Sequence, residues 1–435
     1  MDYNRLVEEF SFFHKGRLIN QVGLLGFGLS NSTLYHLLRK RYPSLDFVFR
    51  IPSGKREPFM EKFYTGNCLF DNLSEDVLFF SPSQKRPNIK TDTVFSSEYE
   101  LFFEKTGARI FAVSGSDGKS TTATMARLIL GEAFLCGNIG SAACQYTENA
   151  GDGVIELSSF QLNYFTPKSY SAVLTSLSEN HLDFHLNFES YALAKENLLI
   201  EAKRRAVWQD TEREREIIRK YRPESVISFG KKREFDALNF ISVDGTALSL
   251  NGEKILDLSP LFAYGEYTVK NFLSAFALTL GNGDPEGAIR KFRPIDERCT
   301  LVKSEGGVSF YSSSIDSTPS RTATTLSRFS HNVILILGGR DKGLSVEPLI
   351  GMLKKRVKAI FFYGECGKSL MEKISSYGVE IPLKYTPDFD SSVRLARAAA
   401  RSGDTVLLSP AATSYDCFKD YLERGRKFRE IINEK

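Results

Sequence analysis

The sequence predicts an α/β protein of three domains, each built on a largely parallel sheet. Short apolar runs alternate with helical stretches almost throughout, as in 21–26 then 32–41, and 332–337 then 347–356. Three of those runs end in a glycine loop that opens a helix, at 22–28, 110–120 and 333–343. A length of 435 residues, at about 100–200 per domain, allows two to four domains.

The first unit starts at Val22-Gly-Leu-Leu-Gly26-Phe-Gly28, a strand and turn followed by an apolar helix. It lacks the third glycine of GxGxxG, and the next strand ends in Arg50 rather than an acid. Both features disfavour NAD. An acidic helix-like stretch at 96–105 separates this unit from the second, and Pro294 is a reasonable hinge before the third. The expected domains are therefore 1–97, 98–294 and 295–435. Between the second and third glycine loops, 201–222 reads as a charged, helix-rich segment, followed by β-like runs at 226–229 and 247–250.

The second loop carries the clearest chemistry. Gly115, Ser116, Asp117, Gly118, Lys119, Ser120 and Thr121 follow an apolar strand and open a helix. Glycines let backbone N–H groups turn toward an anion, and the helix N-terminus adds its positive end. Lys119 can reach the outer phosphates, and the Ser120 hydroxyl can ligate Mg²⁺. A full GxxxxGK loop would need glycine at Val113, so ordinary P-loop NTPases are disfavoured.

Two further strands end in polar residues. Val154-Ile-Glu156-Leu-Ser158-Ser-Phe-Gln-Leu puts one carboxylate at a strand end, and 173–185 runs from a strand into Glu179-Asn-His181-Leu-Asp183. Functional groups of parallel sheets gather at carboxyl ends, so Glu156, His181 and Asp183 are expected near the phosphate loop.

Composition sets outer limits. Hydrophobic residues are 42% and charged residues 25%, ordinary for a globular protein. Lys and Arg number 57 against 53 Asp and Glu, a net charge of +4, which argues against a nucleic-acid-coating protein. The first 21 residues have no sustained apolar stretch, so no signal peptide is expected. Apolar runs such as 333–337 are far shorter than the ~20 residues of a membrane helix. Six scattered cysteines without a CxxC pair fit buried free thiols in a reducing, cytoplasmic setting, and five histidines show no zinc spacing.

Taken in order, GSDGKS at 115–120, Gly137-Asn138-Ile-Gly140, ELSSFQL at 156–162, ENHLD at 179–183, Tyr191-Ala-Leu-Ala-Lys195 and the C-terminal Ser409-Pro-Ala-Ala-Thr-Ser414-Tyr-Asp416…Tyr421…Arg424-Gly425…Phe428 resemble the Mur ligases of peptidoglycan synthesis. The resemblance runs from about Val22 to Phe428 and is greatest to the members that join D-glutamate to UDP-N-acetylmuramoyl-L-alanine. It implies a Rossmann-like N-terminal domain for the UDP-sugar, a central P-loop-type ATPase on a parallel sheet, and a C-terminal Rossmann-like domain. It implies ATP, two Mg²⁺ ions, an acyl-phosphate intermediate, a cytoplasmic monomer, and no nucleic-acid or membrane partner.

By the same resemblance, Ser120 and Glu156 would hold one Mg²⁺ and His181 the second, with Lys195 carrying a CO₂-derived carbamate. Asn271 would meet adenine and Arg298 the nucleotide. Leu29, Ser30, Asn138 and Ser158 would bind the UDP-sugar; Lys342, Ser414 and Tyr421 would bind D-glutamate. Several positions depart from the family pattern: Asp117, Tyr267-Thr268, Ser-Pro-Ser at 81–83, and 312–317, where a usual aspartate is Ser313 and a usual lysine is Ile315. Asp316 is a candidate replacement carboxylate, reaching across a strand. Two alternatives stay open: a ligase for another amino acid, and a non-catalytic relative that binds a UDP-sugar or nucleotide.

Overall fold

A computed structural model describes residues 11–434 except 52–55, 67–68, 83, 182–183, 263, 294–296 and 342. Lys342, Asp183 and Pro294 therefore lie outside the described residues. The chain forms two compact units, Met1–Phe292 and Arg293–Lys435.

Among the described residues the first unit holds three sheets. A hairpin pairs β1 (Phe12–His14) with β2 (Arg17–Ile19). A five-stranded parallel sheet has the order β5-β4-β3-β6-β7, with β3 (Gln21–Leu25), β4 (Asp46–Ile51), β5 (Lys62–Thr65), β6 (Val77–Phe80) and β7 (Val94–Ser96). Arg50, at the end of β4, is buried, paired with Glu75 at 2.5 Å and stacked over Tyr64. It serves the packing of this sheet.

The nine-stranded sheet has the order β16-β15-β14-β13-β12-β11-β8-β10-β9. Its strands are β8 (Arg109–Ser114), β9 (Phe134–Gly137), β10 (Asp152–Glu156), β11 (Ser169–Leu174), β12 (Ala202–Trp208), β13 (Val226–Phe229), β14 (Asn239–Asp244), β15 (Ala247–Leu250) and β16 (Glu253–Asp257). The strands from β9 to β14 run parallel, and β15 and β16 add an antiparallel edge. β8 lies between β10 and β11, where the chain switches direction across the sheet. Loops leaving a parallel sheet at such a point open a crevice at its carboxyl edge.

The core is laid down by the same alternation. In β8, Ile110, Phe111, Ala112 and Val113 are all buried, the continuous apolar run of a strand covered on both faces. On one face Phe111 and Val113 share a cluster with Ala123, Ala126 and Ile129 of the helix Lys119–Leu130 and Phe272 and Phe276 of the helix Glu266–Thr279. Each buried Val, Ile or Phe side chain here contributes about 1.5–3 kcal/mol on burial.

The charged segment 201–222 differs from the sequence expectation. Residues Ala202–Trp208 are β12, and only Glu212–Lys220 is helical. The charges mask the strand because they serve its neighbours. Arg205 donates to Leu199 O and Ile200 O at a helix end, and Arg204 donates to Leu280 O.

The second unit carries a six-stranded sheet, β17-β18-β22-β19-β20-β21. Its strands are β17 (Thr300–Glu305), β18 (Val308–Ser312), β19 (Val333–Gly338), β20 (Val357–Tyr363), β21 (Leu383–Tyr385) and β22 (Thr405–Leu408), with only β17 antiparallel. β18 stops at Ser312, so Asp316 is not on a strand. It folds inward from a turn and is buried, accepting from Thr325 Oγ1 at 2.6 Å and Ser409 Oγ at 2.7 Å. Those bonds occupy it inside this unit, which corrects its reading as a replacement nucleotide carboxylate. Cys136, Cys144, Cys299 and Cys366 are buried free thiols as expected, but Cys417 is exposed.

Candidate active site

Gly115 leaves the end of β8 at φ 145° and Gly118 turns at φ 80°, just before the helix Lys119–Leu130. A Cβ on Gly118 would overlap Asn271 Oδ1, and one on Gly115 would overlap Thr175 Oγ1. Asn271 is thus buried against the phosphate loop rather than on a helix surface. Gly118→Ala is expected to weaken ATP binding about tenfold, since the left-handed turn costs roughly 1–2 kcal/mol for an L residue and Asn271 must move. Equilibrium nucleotide titration of the folded variant checks this.

The loop is braced from the segment after β11. Ser116 N–H donates to Ser176 O at 2.8 Å, and Asp117 N–H to Ser176 Oγ at 3.0 Å. Ser116 Oγ donates to Ser178 O at 2.9 Å and bonds the Tyr191 hydroxyl at 2.9 Å. The expectation that successive loop amides face an anion therefore holds for fewer of them: the Ser116 and Asp117 amides are taken. The first amide bonded within the helix is that of Thr122, to Gly118 O at 2.9 Å. The amides before it, from Lys119 to Thr121, have no carbonyl within the helix to meet and point out of its positive end.

Lys119 Nζ donates to Gly115 O and Ser116 O, each at 2.9 Å. Lys195, from the helix Phe188–Ile200, reaches the same loop and donates to Gly115 O at 2.7 Å. It is only 2% exposed. Burial pushes its amine well below the usual lysine value, and the nearby Lys119 ammonium adds to that, while Asp117 and Glu156 pull the other way.

Glu156 ends β10 opposite Val113 of β8 and is buried. Its Oε2 accepts no hydrogen bond among the described residues. A buried carboxylate oxygen left so fits a cation, and a Ser120 hydroxyl with one carboxylate is the sparse oxygen set that Mg²⁺ takes beside phosphates and water. No group of three His, Cys, Asp or Glu side chains among the described residues forms a metal cage. His181 sits in the loop after β11 at φ 55°, its ring 4.7 Å from that of Phe160.

Asn138 follows β9; its N–H donates to Glu156 O at 2.9 Å, which brings it beside the strand end that carries Glu156. Ser158 caps the short helix Ser159–Leu162. Leu29 and Ser30 open the helix Leu29–Arg41; Leu29 is exposed, and Ser30 Oγ donates to the buried Glu98.

In the second unit, Arg298 lies half-buried just before β17. Ser414 is buried in the loop after β22, and Tyr421 begins the helix Tyr421–Asn433. Arg340 and Thr413 exchange backbone bonds at 3.0 Å, which ties the segment just after β19 to the loop carrying Ser414. The geometry thus gathers Lys119, Ser120, Glu156, Lys195 and Asn271 around one loop, while Ser414 and Tyr421 belong to the second unit.

A family model described as the Mur ligase middle domain matches residues 113–279, and one described as the Mur ligase, glutamate ligase domain matches 297–412. The UDP-N-acetylmuramoylalanine--D-glutamate ligase of Acetivibrio thermocellus is 34% identical, over 95% of this chain and 96% of its own. The chain belongs to the Mur ligase family. The corresponding ligase of Clostridium beijerinckii is 30% identical over 98% of this chain and 99% of its own. Among solved structures, the UDP-N-acetylmuramate-alanine ligase of Thermotoga maritima superposes with a TM-score of 0.60 at 15% identity, covering 94% of this chain and 98% of that one. That likeness concerns the fold.

The site also uses residues to which sequence reasoning assigned no role. Thr175, Ser176, Ser178 and Tyr191 hold the glycine loop of this Mur ligase through residues 116 and 117. The hydroxyl-rich run 175–178 was the available signal, but its pairing with residues 116–117 depends on β11 lying beside β8. No helix among the described residues of this Mur ligase is long and apolar enough to cross a membrane.

Proposed function

We propose that this chain joins D-glutamate to UDP-N-acetylmuramoyl-L-alanine at the expense of ATP, in peptidoglycan precursor synthesis. The observation that carries the reading is the gathering of Lys119, Glu156 and a buried Lys195 on one phosphate loop, in a chain that aligns end to end with D-glutamate ligases.

An oxygen of the alanyl carboxylate attacks the γ-phosphorus, the bond to the ADP oxygen breaks, and an acyl phosphate forms. The D-glutamate amine attacks the carbonyl carbon, the C–N bond forms and the C–O bond to phosphate breaks. Of the two protons its ammonium gives up, one ends on phosphate and one in solvent. Lys119 and the amides at the start of its helix hold the outer phosphates and stabilise charge on the transferring group. Asn271 seats the adenine and Arg298 meets the nucleotide.

Ser120 and Glu156 would hold one Mg²⁺, and His181 with a carbamylated Lys195 the second. Mg²⁺ when bound offsets the repulsion between carboxylate and polyphosphate. Leu29, Ser30, Asn138 and Ser158 orient the UDP-sugar. Lys342, Ser414 and Tyr421 take the D-glutamate carboxylates, for which cationic and hydroxyl donors are suited. The reading places the enzyme in the cytoplasm as a monomer.

Phosphate release from ATP is expected only when UDP-N-acetylmuramoyl-L-alanine and D-glutamate are both present. Release with another amino acid in preference to D-glutamate would reject the substrate assignment. Nucleotide binding without any release would favour a binding-only relative.

A further inference from the structure

We infer that Lys85 is a substrate-binding residue whose ammonium takes an anionic oxygen of the UDP-sugar. The inference rests on the ligase reading above and adds to it a cation from the first sheet.

The segment after β6 is pinned by the residue next to it. Arg86 N–H donates to the Tyr164 hydroxyl at 3.1 Å. Its guanidinium lies 4.7 Å over the Tyr164 ring and 5.7 Å over the Phe80 ring, and pairs with Glu100. Lys85 therefore projects from a held backbone. Its Nζ stands 4.9 Å over the Phe184 ring. Phe184 packs edge-on against Phe160 at 4.6 Å, and Phe160 against His181 at 4.7 Å. Phe160 lies four residues beyond Glu156, the carboxylate at the end of β10. A chain of two rings thus links the ammonium to His181 and the carboxyl edge of the central sheet.

Lys85 differs from the other lysines of the site. Lys119 and Lys195 direct their nitrogens at loop carbonyls. Lys85 is exposed, and among the described residues no carboxylate pairs with it. A ring face meets one side of an ammonium and leaves its other hydrogens to be donated elsewhere. The UDP-sugar offers two anionic oxygen groups, its diphosphate and its alanyl carboxylate. Either would gain a charge-assisted hydrogen bond from a nitrogen held at this edge.

The test compares the full wild-type chain with Lys85→Ala and Lys85→Arg. Phosphate release gives KM for each substrate, and equilibrium titrations give the affinity for UDP and for UDP-N-acetylmuramoyl-L-alanine. Lys85→Ala is expected to raise KM for the UDP-sugar and weaken its binding about tenfold, the scale of one charged hydrogen bond. KM for ATP and for D-glutamate should stay put, and Lys85→Arg should recover most of the loss. UDP binding weakened by the same factor assigns the contact to the diphosphate; UDP binding unchanged assigns it to the carboxylate. Unaltered affinity for the UDP-sugar in Lys85→Ala overturns the inference. So does a loss spread evenly over all three substrates or left unrecovered by arginine, since that is the mark of a structural role. A wild-type chain that binds the UDP-sugar but releases no phosphate would overturn the ligase reading instead, and the titrations judge Lys85 without turnover.

Discussion

Lys195→Ala is expected to lower kcat by about a hundred- to a thousandfold, the scale of losing one preorganised electrostatic group at a reacting centre. Millimolar formate or acetate should restore part of it. The reasoning starts from burial. Lys195 is 2% exposed, and its amine is held well below the usual lysine value by burial and then by Lys119. A lowered proton affinity favours the neutral, nucleophilic form of the amine, which is what addition to CO₂ requires. The proposed carbamate would carry a negative charge, and the repulsion from Lys119 would become attraction. Alanine removes that anion and leaves room for a small carboxylate beside Gly115 and Ser114, where Nζ now lies. A variant with wild-type turnover, or one that no carboxylate rescues, rejects the carbamate. Intact mass under native conditions is a second reading: the wild type should carry one added CO₂, lost on acidification, and the variant none.

Arg424→Ala is expected to destabilise the second unit by about 3–5 kcal/mol, the combined cost of a cavity and of carbonyls left buried without donors. Arg424 is fully buried and donates to Ser314 Oγ, Ser314 O, the Tyr363 hydroxyl and Ala412 O at 2.7–3.2 Å. It joins the turn after β18 to the loop after β22 that leads to Ser414. Truncation strands two carbonyls and leaves a cavity. Lysine should not rescue it, because an ammonium cannot reproduce the planar fork. Hydrogen exchange at the β18 and β22 amides measures the local effect without assuming that both units unfold together. Protection equal to wild type would show that the fork is dispensable.

Gly425 beside it has a related reason. A Cβ there would overlap the Glu297 carboxyl, which is buried and bonded by Ser312 and Arg429. The Arg-Gly pair that marks this region in the sequence is thus accounted for by packing of the second unit, whereas Ser414 in the preceding loop keeps its proposed role with D-glutamate.

Local patterns were legible where the chemistry is local. The strands Val226–Phe229 and Ala247–Leu250 and the helix Glu347–Arg356 have the bounds their apolar spacing suggests. β12 does not read as a strand, because Lys203, Arg204 and Arg205 precede its buried Ala206, Val207 and Trp208, and two of those charges serve carbonyls on other elements. The turn at 115–118 and the helix it opens were legible because glycines after an apolar run mark a chain reversal over a few neighbours. Which of its amides remain directed outward was not, since Ser176 lies some sixty residues away and reaches the loop only through strand order.

The sequence by itself determined the α/β class, the glycine turns and the residues placed at strand ends, because backbone conformation and apolar periodicity act over a few neighbours. Only the tertiary structure decided what state those residues are in. Lys195 becomes a buried amine of lowered proton affinity, Glu156 keeps an oxygen that accepts no hydrogen bond among the described residues, and Asp316 turns into the interior of its own unit. Burial and charge sum over every segment packed around a group. No stretch of sequence contains that sum.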